Sequence, residues 1–351
     1  MHPGMATPAG TAHFASRFPD AEAQGFYRSA CGWRVSSLGL GSYLGDLTEE
    51  TDVGYYGSIL DAVGGINVLD TAINYRHQRS EMVIGSALRK LFREEIVTRG
   101  QVVVCSKAGY LTPGAVPEGM VPPDEVVRGI HCMHPAFLAD QIHRSRENLG
   151  LETIDIHYLH NPETQLSDLG ETAFLDRMRR AFEALEQCRE RRWIQFYGTA
   201  TWDGYRRRED AQPGLQLERL VDLARQVAGD HHGFRVIQVP FNLAMTEAFT
   251  LANQGSASEK RSVLQVAAVL GITVVASASI LQSRLSHQLP VNLSVGLPEE
   301  STNAQRALQF ARSAPGITTA LVGMSNRTHV AENLGLTKFA PLPEPAFRQL
   351  F

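Results

Sequence analysis

The chain has 351 residues, of which 43% are hydrophobic and 20% charged, with a formal net charge of -4 and a pI near 6.3. That balance suits a compact globule and gives no general electrostatic pull toward nucleic acid or anionic lipid. No apolar run reaches membrane-span length, and the first 30 residues, with His13, Arg17, Asp20 and Glu22, lack the apolar core of a secretory signal. The four cysteines (Cys31, Cys105, Cys132 and Cys188) are widely spaced with no Cys-x-x-Cys pair, which argues against a disulfide framework and fits a reducing cytoplasm. "HCMH" gathers His131, Cys132 and His134, but three ligands so close in sequence seldom reach one tetrahedral ion, so no metal site is expected.

In chain order, residues 1–25 read as an extended N-terminal arm. "GFYRSACGWRVSS" then predicts a β-hairpin turning at Cys31-Gly32. Beyond it, eight short β-branched runs predict strands: 35–41, 66–72, 101–107, 154–160, 194–200, 235–242, 272–278 and 318–324. Helical patterns alternate with them at 49–63, 80–91, 136–149, 172–190, 215–228, 259–270, 303–314 and 328–334. Gly150 and Gly271 stand at natural helix C-caps. Eight such units imply an α/β fold, a closed (β/α)8 TIM barrel spanning 1–351 as one domain, with a long Gly- and Pro-rich loop over 108–135 after the third strand. An open doubly wound sheet would need a Gly-x-Gly-x-x-Gly turn, and Gly39, Gly41 and Gly45 have the wrong spacing.

In such a barrel, groups at strand C-termini converge on one pocket. Asp70 ends the second strand, with Tyr75 in its loop; Lys107 ends the third, His160 the fourth, and Gln238 lies late in the sixth. A phenol is a weak acid at neutral pH, and a nearby ammonium would favour its ionised form, with a carboxylate to offset the burial of the ammonium. Asp70, Lys107 and Tyr75 can therefore form an acid-base chain, with His160 holding a substrate oxygen.

These residues lie within "LGLGSYLG", "LDTAINYRHQRSEMVIGSAL", "VVVCSK", "IDIHYLHNPE", "IQFYGTATW", "VIQVPFN" and "LVGMSNRTHVAENL". The set resembles the aldo-keto reductases over about 33 to 340. The resemblance implies a catalytic tetrad of Asp70, Tyr75, Lys107 and His160, and hydride exchange between NADP (NAD as the alternative) and a small carbonyl or alcohol. It also implies that Gly41, Asp70, Thr199, Ser279 and Gly323 help bind the cofactor, with Ala200, Thr201, Gln238 and Ser277 at its nicotinamide. Met324, Arg327, His329, Glu332 and Asn333 would hold the adenine side.

The cofactor end departs from the family pattern. Ala200-Thr201 replaces a usual Ser-Asn pair, and Ser277 replaces an aromatic platform. Met324 and His329 stand where Ser and Arg often bind the 2′-phosphate, leaving Arg327 to supply a charge. Near the mouth, Tyr43, Arg76, His77, Tyr110 and His131 are substrate candidates, and Arg76, His77 and Arg79 suggest an anionic or polyoxygenated molecule. Two other readings stay open: elimination or epimerisation through the same tetrad, and nucleotide sensing without turnover. The sequence sets no oligomeric state.

Overall fold

Residues 1–25 are not extended: they form two short helices, Pro8–Ser16 (α1) and Pro19–Ala23 (α2). Thr7 caps α1, its Oγ1 accepting from Gly10 N at 2.9 Å, and Pro8 presets the first turn. Tertiary burial decides the matter, because Phe14 and Ala15 are fully inaccessible in the core beside Phe26 and Tyr27. This computed structural model describes every residue except 209–212, 256–258, 288, 290–292 and 294.

Tyr27–Ala30 (β1) and Trp33–Ser36 (β2) pair antiparallel and reverse at Cys31 and Gly32, both with positive φ. The barrel strands follow as Leu38–Gly41 (β3), Val68–Asp70 (β4), Val103–Ala108 (β5), Ile154–His160 (β6), Ile194–Ala200 (β7), Phe234–Pro240 (β8), Thr273–Ser277 (β9) and Ile317–Gly323 (β10). They pair parallel in chain order, and β10 closes on β3. The eight-strand expectation is met. Interior Val68, Val103, Cys105, Ile156, Val236 and Val275 form one apolar cluster with Ala30, Trp33 and Val35, so the hairpin plugs the barrel's N-terminal end.

Outside lie Glu49–Ala62 (α3), Arg79–Arg93 (α4), Pro135–Leu149 (α5), Glu163–Leu169 (α6), Glu171–Glu190 (α7), Leu217–Ala228 (α8) and Glu247–Thr250 (α9). Val263–Leu270 (α10), Arg284–His287 (α11), Asn303–Ser313 (α12), Arg327–Leu334 (α13) and Glu344–Arg348 (α14) complete the set. The helix expected over 259–270 starts only at Val263, because Ser262 and Gln265 make a capping box there. Gly150 and Gly271 cap α5 and α10 at φ 69° and 65°, as expected. Among the described residues, no helix is long and apolar enough to cross a membrane.

Register brings the strand ends level: Gly41 lies beside Asp70, His160 beside Ala200, Ala200 beside Gln238, and Gly323 beside Gly41. The 108–135 loop folds back at its base, Leu111 N donating to Ile130 O and Cys132 N to Gly109 O, both at 2.8 Å. It thereby returns His131 to the end of β6.

Candidate active site

Strand ends around the barrel line a cleft of about 410 Å³ whose walls include Asp70, Tyr75, His160, Thr201 and Gln238. Lys107, fully buried, donates from Nζ to Asp70 Oδ1 at 2.5 Å and to Thr71 O at 2.8 Å. The same ammonium lies 4.8 Å from the Tyr75 ring centroid. His160 meets that ring edge-on, with centroids 5.7 Å apart. The four residues expected to act together are thus in one place.

Their electrostatics follow from burial and from one another. Burial works to lower the Lys107 value, but the Asp70 carboxylate and the Tyr75 phenol outweigh it and raise it. Burial raises Tyr75 above an ordinary phenol, while Lys107 pulls it partly back. The ammonium was expected to lower the phenol; burial wins, so Tyr75 stands as a protonated acid at neutral pH. Burial also drives His160 well below the usual imidazole range, with Lys107 adding to the effect, so its ring is neutral at ordinary pH.

The turn after Tyr75 is unusual. Arg76, His77 and Gln78 all have positive φ, at 46°, 49° and 73°. For residues other than Gly this costs on the order of 1 kcal/mol each. Arg76 therefore needs compensation. It has it: Arg76 Nη1 donates to Asp52 of α3 at 2.6 Å and Nε to Ser80 at 3.1 Å, and its guanidinium lies 5.1 Å from the Tyr55 ring centroid.

Several expected site residues are placed elsewhere. Arg76 is buried in this clamp, Arg79 also pairs with Asp52, and His77 points to solvent, so none lines the cleft. His131 stands behind His160: its Nε2 donates to His160 O at 2.7 Å, and Gln165 faces its Nδ1 at 3.2 Å. It does not line the cleft. Thr199 points outward to the Tyr205 hydroxyl at 2.8 Å, because alternation along β7 turns it away from the barrel axis. Met324 is buried off the cleft, and Glu332 accepts from Thr302 Oγ1. Arg327 forms a two-point pair with Asp61 at 2.5 and 2.7 Å, while His329 is exposed and Asn333 buried.

The nicotinamide side fits a cofactor better. Thr201 Oγ1 and Ser279 Oγ are buried on the cleft wall with no protein partner. Gly41, Ala200, Ser277 and Gly323 also line it. Gln238 lines it too; its Nε2 donates one hydrogen to Asp70 Oδ2 at 2.8 Å, which leaves its amide oxygen and its second N–H for a ligand.

Residues the sequence reading passed over complete the mouth. Asn161, Trp202 and Gln282 line the cleft beside Tyr43 and Tyr110, and Asn74 Oδ1 is buried there without a partner. Asn161 directly follows the end of β6 and Trp202 lies two residues past the end of β7, close to the signal used for the tetrad; Gln282 belongs to a left-handed run, Leu281–Ser283, with no sequence signature. Among the described residues, no group of three His, Cys, Asp or Glu is placed to hold a metal ion.

The profile of the Aldo/keto reductase family matches residues 38–289. The chain is 22% identical over 335 residues to a probable voltage-gated potassium channel subunit beta from Arabidopsis thaliana, covering 90% of this chain and 91% of that protein. It is 32% identical over 173 residues to a D-threo-aldose 1-dehydrogenase from Pseudomonas, covering 46% of this chain and 48% of that one. Its fold is similar to that of an aldo/keto reductase from Klebsiella pneumoniae in complex with NADP and acetate, at TM-score 0.60 and 19% identity, covering 91% and 93% of the two chains. The barrel, its strand-end tetrad and the profile match together place this chain in the aldo/keto reductase family of NAD(P)H-dependent oxidoreductases.

Proposed function

We propose that the chain reduces a small carbonyl compound, or oxidises the matching alcohol, with Tyr75 as acid or base at the substrate oxygen. What carries this reading is the meeting of Tyr75, charged Lys107 and neutral His160 in one cleft. NADP(H), with NAD(H) as the alternative, would supply or accept the hydride at the carbonyl carbon. Thr201, Ser279 and the Gln238 oxygen would hold its nicotinamide end. Tyr75 gives its proton to the oxygen in reduction and takes one back in oxidation, His160 orients that oxygen, and Lys107 with Asp70 sets the phenol's acidity.

The mouth favours a neutral, hydroxyl-bearing substrate over an anion. Among the described lining residues none is Arg or Lys, whereas Tyr43, Tyr110 and Trp202 offer ring faces and Asn74, Asn161 and Gln282 offer amides. The reading takes the whole chain as one unit working in the cytoplasm.

The test is to titrate NADPH and NADH by protein fluorescence, then to follow reduced-nicotinamide absorbance with aldehydes, ketones, aldoses and keto acids. Tyr75→Phe should cut turnover by about 10²- to 10⁴-fold while nucleotide binding persists. Failure to bind either nucleotide sinks the proposal. Because Ala200 and Ser277 on the cleft wall offer the nicotinamide end fewer polar and stacking contacts, elimination or epimerisation keeps a foothold; substrate loss without net nicotinamide change would select it. Tight nucleotide binding with no turnover would select nucleotide sensing.

A further inference from the structure

The loops after β6 and β7 are joined by a carboxylate that the reaction above does not use. Glu163 begins α6, just beyond His160, and is 3% exposed. Its Oε1 accepts from the backbone N–H of Trp202 at 2.8 Å and from those of Asp203 and Gly204 at 3.2 Å each. Three successive N–H groups converging on one oxygen make a nest for negative charge. Gly204 completes it, because a Cβ there would lie 2.9 Å from Leu215 and 3.2 Å from the Glu163 carboxyl carbon. The other oxygen, Oε2, is buried with no partner. The nest directly follows Thr201 and contains Trp202, two residues of the cleft wall.

We propose that Glu163 is a positioning residue, holding Thr201 and Trp202 against the cleft when ionised and releasing them when protonated. The geometry makes the bonds strong only while the carboxylate is charged, since charge-assisted hydrogen bonds are about twice as strong as neutral ones. Burial raises the Glu163 value to about 7, against the lowering effect of the Trp202 and Asp203 N–H groups. The Asp203 side chain adds like charge, partly offset by Arg207, which donates to Asp203 Oδ1 at 3.1 Å. The Tyr205 phenol, bonded to Thr199 and raised by burial, faces it uncharged, and on the β6 side His160 is neutral. Release takes the N–H donors away while Glu163 stays buried at the start of α6, so its value rises further in the released state and protonation favours release. The wall is therefore tight above neutrality and loosens as pH falls through it.

The test needs no turnover, so its outcome is separable from that of the proposed reaction. Acrylamide quenching of tryptophan fluorescence in the full chain is followed across neutral pH, with Trp202→Phe subtracted to isolate Trp202. Quenching of Trp202 should rise as pH falls in the wild type and stay flat in Glu163→Gln. If Glu163→Gln does not fold, Asp203→Asn replaces it and should move the midpoint to lower pH. If turnover is measurable, KM should rise by up to about tenfold on the acid side with kcat changing less, a dependence absent from Glu163→Gln. Trp202 quenching unchanged across neutrality overturns the proposal. So does a Glu163→Gln profile that follows the wild type, or a midpoint unmoved in Asp203→Asn.

Discussion

Tyr75 sits between opposing influences, burial raising its pKa and Lys107 restraining the rise. With Tyr75 as the proposed acid, reduction draws on the protonated phenol, so kcat for reduction should hold level through neutral pH and fall only in the alkaline range. Oxidation requires the phenolate, so its kcat should climb with pH over the same interval. His160 is held neutral and should add no limb near the ordinary imidazole value of about 6.5. A kcat limb there that His160→Asn removes would contradict this. The neighbouring turn gives a second prediction. Asp52→Asn loosens the Arg76 clamp on three left-handed residues and should lower kcat by about ten- to a hundredfold, with nucleotide affinity little changed. Adding Arg76→Gly should recover much of the loss, because glycine adopts this φ freely. Stopped-flow turnover of the single and double variants would show it, and no recovery would remove strain as the explanation.

At the scale of elements, α3 and α13 meet through Asp61 and Arg327. That pair holds the one arginine the sequence reading assigned to a 2′-phosphate. Asp61→Asn should release it and tighten NADP binding by about three- to tenfold, a modest gain because the site is solvent-exposed. NAD binding should not change. Isothermal titration with both nucleotides checks this, and an equal effect on the two would show that Arg327 does not reach the phosphate.

For the molecule as a whole, barrel closure depends on the seam where β10 meets β3. Arg312 is fully buried there, with no acidic partner among the described residues. Its guanidinium donates instead to Gln309 Oε1 at 2.7 Å, Ser37 Oγ at 3.1 Å, and the Leu336 and Phe339 carbonyls at 3.2 and 2.5 Å. Arg28 adds bonds to Ile317 O at 2.5 Å and Arg312 O at 2.6 Å. Burial pulls Arg312 down to about 9, still charged at neutral pH. Arg312→Leu orphans several carbonyls at once and should cost about 3 kcal/mol in urea unfolding. A change below about 1 kcal/mol would show that water or repacking satisfies the seam.

Eight apolar runs separated by helical periods were enough to specify a closed parallel barrel, since alternation and strand length are local properties of the chain. Asp70, Lys107 and His160 were legible for the same reason: a polar group at the end of an apolar strand has only one face of the barrel to reach. Side-chain direction was not legible in this way. Arg76, Arg79 and Arg327 read as charges awaiting a substrate or a phosphate, but Asp52 and Asp61 hold them, and those partners lie far away in sequence. His131 read as a ligand of the mouth and proved to brace His160 from behind. The helices of residues 1–25 depend on burial against the barrel, and the clamp of Glu163 on Trp202 exists only because β6 and β7 lie side by side. Composition and periodicity therefore determined which elements form and which strand-end groups meet at the cleft. Only the folded chain decided which charges remain free, because ion pairs form between neighbours in space, not in sequence.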